Sequence, residues 1–259
     1  MTNYRIDLAY DGSDFHGWQV QPGQRTVQGE LQQALEHLFG DLAVPEGAGR
    51  TDAGVHAVGQ VASFRHDEAR EPAWLRRALG GLLPRDIQVH EVRQVPAEFS
   101  ARHSAVARSY RYRWHRGSSV FWRRYSLEVP ESLRAEPMDE AARLLLGEHD
   151  FTAFAASDAG VHCLCLVERV RVRSQAAWVD LDITANRFLH NMVRRIAGAL
   201  LEVGVGRLQP SALRDILEQR DRGRGGPCLP PQALFLLGVR YPGEPGPGLE
   251  PASFLEWKW

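Results

Sequence analysis

Gly49-Arg50-Thr51-Asp52-Ala53-Gly54-Val55-His56-Ala57 gathers a cation, an anion, two glycines and an imidazole into nine residues, with almost nothing large and apolar among them. A glycine near each end lets the backbone bend sharply there. The character of the chain changes at once afterwards: Val58, Val61, Ala62 and Phe64 read as a strand. A polar loop delivered onto a sheet is where site residues tend to be held. The same residues also suit a tight turn closed by a surface Arg–Asp pair. On local grounds both readings stand.

Working outward, residues 4–10 alternate, with Tyr4, Ile6, Leu8 and Tyr10 on one face and Arg5, Asp7 and Ala9 on the other, the pattern of a strand. Thr26 is suited to cap a helix whose apolar face is Val27, Leu31, Leu35 and Leu38, and Gly40 stops it. Residues 42–48 read as a short strand, 58–64 as a strand, 72–83 as a helix and 87–92 as a strand. The succession strand, helix, strand, strand, helix, strand is that of the ferredoxin-like split unit. A similar order recurs: strand 110–115, helix 138–146, strands 165–172 and 179–183, helices 186–203 and 211–219, and strand 234–241. The expected fold class is α+β, two ferredoxin-like halves of βαββαβ type with mixed or antiparallel sheets. Their boundaries fall at 1–103 and 104–242, followed by a Gly- and Pro-rich tail over 243–259.

The chain has 259 residues, 44% hydrophobic and 24% charged, the balance of an ordinary globular protein. No apolar run approaches the roughly 18 residues of a membrane span. Met1-Thr2-Asn3-Tyr4-Arg5-Ile6-Asp7 contains an acid and no apolar stretch, so it does not read as a secretory signal, and a cytoplasmic location is expected. Cys163, Cys165 and Cys228 are an odd set with poor zinc spacing, so neither a disulfide framework nor a metal site is expected. Lys258 is the only lysine, which excludes Schiff-base chemistry except at the extreme C-terminus. No glycine-rich nucleotide loop is present, and no cofactor is expected.

Net charge is −1, so no global basic field advertises nucleic acid. The distribution is more informative. From Phe99 to Leu127 there is no acid; Arg102, Arg108, Arg111, Arg113, Arg116, Arg123 and Arg124 alternate there with Tyr110, Tyr112, Trp114, Phe121, Trp122 and Tyr125. Strand alternation sets Tyr110, Tyr112 and Trp114 on one face and Arg111 and Arg113 on the other. This suits phosphate contacts with base stacking, and equally a strand with core aromatics and solvated arginines. The helix expected over 186–203 carries an apolar stripe of Phe188, Leu189, Met192, Val193, Ile196, Leu200 and Val203. Its polar face holds Arg187, His190, Asn191, Arg194 and Gly198.

Gly-Arg-Thr-Asp-Ala-Gly-Val-His over 49–56 resembles the active-site signature of the tRNA pseudouridine synthase A family. The resemblance is carried further, in the family's order, by Tyr10-Asp11-Gly12-Ser13-Asp14-Phe15-His16-Gly17-Trp18-Gln19, by Phe99-Ser100-Ala101-Arg102, by Arg108-Ser109-Tyr110-Arg111-Tyr112, and by Asn186-Arg187-Phe188-Leu189-His190-Asn191-Met192-Val193-Arg194. It spans about residues 4 to 242 and implies two halves around a central RNA-binding cleft. It implies that Asp52 is the catalytic carboxylate, that Arg194 pairs with it, and that Tyr110 lies over the target uracil and handles the proton at C5. It also implies that Arg50 contacts the flipped nucleotide or its phosphate. His56 and His190 are candidates for phosphate or ribose ligands, or for hydrogen-bonded structural histidines. The chain departs from the family at Ser157-Asp158-Ala159-Gly160-Val161-His162-Cys163-Leu164-Cys165, where a Cys-Gln-Ser-like segment is usual, and at Asn191, where a second histidine is common.

The resemblance implies isomerisation of uridine to pseudouridine at positions 38, 39 and 40 of tRNA, by a homodimer whose second subunit helps bind the substrate, with no metal. The base must be flipped out for this chemistry. Three alternatives remain at this level: a non-catalytic RNA-binding protein on the same fold, a synthase acting on another RNA, and a nucleoside hydrolase, which would want two carboxylates flanking the bond.

Overall fold

A computed structural model of the protein describes residues 1–156 and 162–244. Ten strands and five α-helices are found there. In chain order they are β1 (Thr2–Tyr10), α1 (Val27–Phe39), β2 (Glu46–Gly47), β3 (His56–His66), α2 (Pro72–Leu82), β4 (Ile87–Val95), β5 (Ala107–Arg116), β6 (Leu127–Val129), α3 (Ala135–Arg143), β7 (Gly147–Asp150), β8 (Leu164–Gln175), β9 (Trp178–Ala185), α4 (Met192–Gly204), α5 (Ala212–Gln219) and β10 (Leu234–Arg240). Local chemistry accounts for several boundaries. Thr26 Oγ1 accepts the Gly29 N–H at 3.3 Å and α1 ends at Gly40. In α2 the Glu71 carboxylate accepts the Trp74 N–H at 2.8 Å, ahead of a proline whose missing N–H costs nothing in a first turn.

All the strands belong to one mostly antiparallel sheet, in the order β4-β1-β3-β10-β5-β9-β8-β7, with β2 beside β3 and β6 beside β5. The α+β class therefore holds, and the strands of the two expected halves form one continuous sheet. β10 closes the seam: it runs parallel to β3 and antiparallel to β5. Leu236 is paired with Ala57 on one side and Tyr110 on the other, which sets the end of the 49–55 loop and Tyr110 in one row across three strands. Tyr4, Ile6 and Leu8 are buried with Leu31, Leu35, Leu75 and Leu79, and Tyr112, Trp114, Leu181 and Ile183 with Met138, Ile196 and Leu200. Burial of these side chains stabilises by about 1.5–3 kcal/mol each.

Three expectations need correction. The helix expected from residue 186 begins at Met192. Asn186 instead prolongs the β8–β9 pairing: its N–H donates to Leu166 O (3.1 Å) and its Oδ1 accepts the Leu166 N–H (2.9 Å). Asn191 then sits at φ +63°, a left-handed turn before the helix. Arg187, Phe188 and His190 are thus loop residues, and the two helical stripes do not extend over them. The helix expected over 138–146 runs from Ala135 to Arg143, with Pro137 tolerated in its first turn. The strand expected over 42–48 shrinks to Glu46–Gly47, next to Pro45, which has no N–H to give a ladder.

The arginines of β5 are neither solvated nor free for phosphate. Arg111 lies opposite Asp182 of β9 and grips it with Nε at 2.7 Å and Nη2 at 3.0 Å; Arg113 grips Asp180 at 2.8 and 2.9 Å. Arg173 also pairs with Asp182. Arg111 is only 2% exposed. This back face of the sheet is tied by buried bidentate ion pairs.

Candidate active site

The 49–55 loop is clasped rather than draped. Thr51 Oγ1 and Tyr10 OH are 2.7 Å apart, Gln60 Nε2 donates to Gly49 O at 2.8 Å, and the Trp18 N–H donates to Thr51 O at 3.0 Å. The Val55 N–H donates to Asp52 O at 3.1 Å, closing a turn that needs Gly54 at φ +78°. Gly12 backs the loop so closely that a Cβ there would lie 2.0 Å from Val55 O. The glycine-rich 11–18 segment is therefore the support of the loop, and the loop presents a half-buried Asp52 to a cleft of about 1380 Å³ lined from both sides of the seam.

Arg194 of α4 faces it. Nη1 donates to Asp52 Oδ2 at 3.0 Å and to Asn191 Oδ1 at 2.9 Å, while Nε donates to Leu229 O at 2.7 Å. The guanidinium is thus aimed by groups other than its carboxylate partner. His190 Nε2 lies 3.5 Å from the other Asp52 oxygen. Tyr110 lines the same cleft, 8% exposed, its ring edge-on to Phe188 at 5.1 Å, and its hydroxyl has no hydrogen-bond partner among the described residues. Burial, with Tyr10 and Asp52 nearby, pushes that phenol well above the usual tyrosine range against the opposing pull of Arg108, so it stays protonated.

Arg50, Arg102 and Arg187 add cationic character to the lining, against Asp52 and Glu46, and His16, His103 and His190 line it too. Arg50 is exposed and makes none of the hydrogen bonds or ion pairs found among the described residues. His56 is elsewhere. It is 2% exposed; Nδ1 accepts the Gly12 N–H at 3.0 Å and Nε2 lies 3.1 Å from both Arg124 O and Gln232 O. Its nitrogens are taken up by the protein, the structural alternative of the two weighed for it. Beside it, Asp11 is held well below the usual carboxylate range: burial raises its pKa, but the His56 ring 3.1 Å away and hydrogen bonds from Ser13 and Tyr125 outweigh that.

Sequence reasoning thus brought Asp52, Arg194, Tyr110, Arg50 and His190 to one cleft. It missed Asn191 and the Leu229 carbonyl as the groups that aim Arg194, and Phe188 as the neighbour of the Tyr110 ring. A main-chain acceptor leaves no side-chain signal. Gly198 does carry a signal, since a glycine on a helix face permits close backbone approach: a Cβ there would lie 2.0 Å from Pro227 O, two residues before Leu229. The second Asp-Ala-Gly-Val-His falls, apart from His162, outside the described residues. Among the described residues no group of three His, Cys, Asp or Glu is placed to hold a metal, and no helix is long and apolar enough to cross a membrane.

The sequence model of one family, described as tRNA pseudouridine synthase, matches residues 8–104 and 141–242. A tRNA pseudouridine synthase A of Syntrophomonas wolfei is 42% identical over 252 residues, covering 93% of this chain and 98% of the relative. One of Bacteroides thetaiotaomicron is 42% identical over 252 residues, covering 93% and 91%. One of Sinorhizobium fredii is 39% identical over 251 residues, covering 93% and 100%.

Proposed function

The chain belongs to the tRNA pseudouridine synthase family, and from that premise we propose that it isomerises uridine to pseudouridine at positions 38, 39 and 40 of the tRNA anticodon arm. The observation that carries the site assignment is the Asp52–Arg194 pair at 3.0 Å, set in an arginine-lined cleft. In the reaction the C1′–N1 bond breaks, the base turns, C1′–C5 forms, N1 gains a proton and C5 loses one. No atom is gained or lost overall.

Asp52 acts at the ribose, either adding to C1′ or removing a sugar proton. Arg194 keeps its carboxylate oriented, with one oxygen bound and the other toward the cleft. Tyr110 supplies a flat, neutral ring for the detached uracil and a hydroxyl with no competing partner among the described residues, fit to handle the C5 proton. Arg50 holds the flipped nucleotide or its phosphate, and His190 is close enough to Asp52 to contact the same nucleotide. His56 supports the loop from behind.

The same reading takes residues 1–103 and 104–242 as two ferredoxin-like halves. Their spatial orders support it: β4-β1-β3-β2 in the first and β10-β5-β9-β8 in the second follow one pattern. It also takes the enzyme as a cytoplasmic homodimer whose second subunit shares in tRNA binding.

The test uses an unmodified tRNA transcript with uridines at 38 to 40, wild-type protein and Asp52→Asn, with pseudouridine mapped by carbodiimide-dependent primer extension. Modification by wild type alone, without free uracil, is expected. Free uracil would indicate a hydrolase. Binding by both proteins without modification would point to a non-catalytic RNA-binding role or to a different RNA. Equal modification by both would remove Asp52 from the chemistry.

A further inference from the structure

Arg108 precedes Tyr110 by two residues on β5 and lines the same cleft. All five of its N–H groups are engaged, each on a main-chain carbonyl. Nε (3.3 Å) and Nη2 (2.8 Å) donate to Ala48 O, Nη2 also to Arg102 O (2.7 Å), and Nη1 to Ala105 O (3.1 Å) and Asn186 O (3.0 Å). No carboxylate is among these partners. Burial lowers its pKa, as it does for a cation without an anion beside it. A guanidinium with every donor occupied has none left for phosphate, so its use in the cleft is its planar fork rather than its charge.

The four carbonyls come from three separate segments. Ala48 immediately precedes the Gly49–Val55 loop that carries Asp52. Arg102 and Ala105 lie between β4 and β5. Asn186 opens the loop that leads to His190 and Arg194. The elements that bring together the carboxylate and its cation therefore meet at one side chain.

We infer that Arg108 is a positioning residue for the isomerisation, fixing the loop of Asp52 against the loop of His190 that leads into α4 and Arg194, by binding both main chains at once. Its catalytic consequence rests on the function proposed above; its geometric consequence does not. Arg108→Lys keeps the charge but offers three donors on a compact head, too few for this arrangement. In single turnover with saturating enzyme the rate should fall about 100-fold, because small misplacements of reacting groups are costly, while tRNA affinity stays within about threefold. Ethylguanidinium added to Arg108→Ala should restore part of the rate, and ethylamine should not. Amide exchange in Arg108→Lys should quicken about tenfold in residues 46–50, 102–106 and 186–190 together, with α1 and α2 unchanged.

Wild-type turnover by Arg108→Lys, or a loss of activity that only tracks the unfolded fraction seen by circular dichroism, would overturn the positioning role. Unchanged exchange in the three segments would overturn the tie itself. If wild type modifies no tRNA, the proposed function fails separately, and the exchange measurement alone decides whether Arg108 holds the loops.

Discussion

Arg194 reaches Asp52 across 142 residues of sequence, and Nη1 meets Oδ2 at 3.0 Å while Nε is anchored on Leu229 O at 2.7 Å. The bond to the carbonyl matters as much as the ion pair. Arg194→Lys keeps a cation near Asp52 but cannot serve both acceptors in one plane. The expected result is a fall in kcat of about 100-fold with little change in tRNA affinity, read from single-turnover and filter-binding measurements. A proportional loss in both would mean that Arg194 serves binding instead.

Gly198 is in α4, away from Asp52 in sequence and without a side chain to react. Its Cα faces Pro227 so closely that an added methyl would meet Pro227 O at 2.0 Å. Gly198→Ala must displace the segment that delivers Leu229 O to Arg194. A drop in kcat of about tenfold or more is expected from a buried residue with no side chain. Full activity in this variant would show that the 227–229 segment can yield without moving Arg194.

Tyr110→Phe removes a hydroxyl that has no partner among the described residues, so no buried group is left unpaired. Its unfolding midpoint in urea should equal or exceed that of wild type, while pseudouridine formation slows about 100-fold if the phenol carries the proton. Undiminished activity would reduce Tyr110 to a stacking platform.

Asp182 is 1% exposed and holds both Arg111 and Arg173. Asp182→Ala takes from the buried Arg111 its bidentate partner, at a cost of about 3–5 kcal/mol in urea unfolding. Asp180→Ala should cost less, because Asp180 retains more solvent contact. Equal costs would mean that burial does not set the difference.

Asp11 is the pH-sensitive point of the loop's support. Its folded pKa lies below the unfolded one, because the adjacent His56 ring and hydrogen bonds from Ser13 and Tyr125 overcome the opposing effect of burial. The stabilisation is complete above the ordinary carboxylate pKa of about 4 and is lost as pH falls through the lower, folded value. Asp11→Asn should therefore unfold more easily than wild type at pH 7, and the gap should narrow only in strong acid. A gap that is constant from neutral pH into strong acid would dissociate Asp11's charge from loop support.

Most elements were legible in the sequence because their signals are local. Thr26 and Gly40 bound α1, and alternation in β1, β5 and β9 matched strands. The seam was not legible, since the parallel pairing of β10 with β3 joins residues some 180 positions apart, a relation no window of sequence contains. The same limit explains the misread start of α4. The apolar spacing of Phe188 and Leu189 suits a helix, but Asn186 is held by Leu166 of a neighbouring strand, and tertiary hydrogen bonds override local preference. Within the site, side chains could be named and carbonyls could not: Arg194 was visible, Leu229 O was hidden. The arginines of β5 were read as solvated or phosphate-binding because their partners, Asp180 and Asp182, come from a strand whose register only the fold supplies.

β10 is the last strand among the described residues, and among them it alone touches both β3 and β5. Until Leu234–Arg240 is in place, a growing polypeptide already contains Asp52, Tyr110 and Arg194 but has no edge to bring them together. Synthesis of the proposed catalytic residues and closure of the sheet around them are therefore separate events, and a fragment ending before Leu234 should carry every proposed reacting group without modifying tRNA.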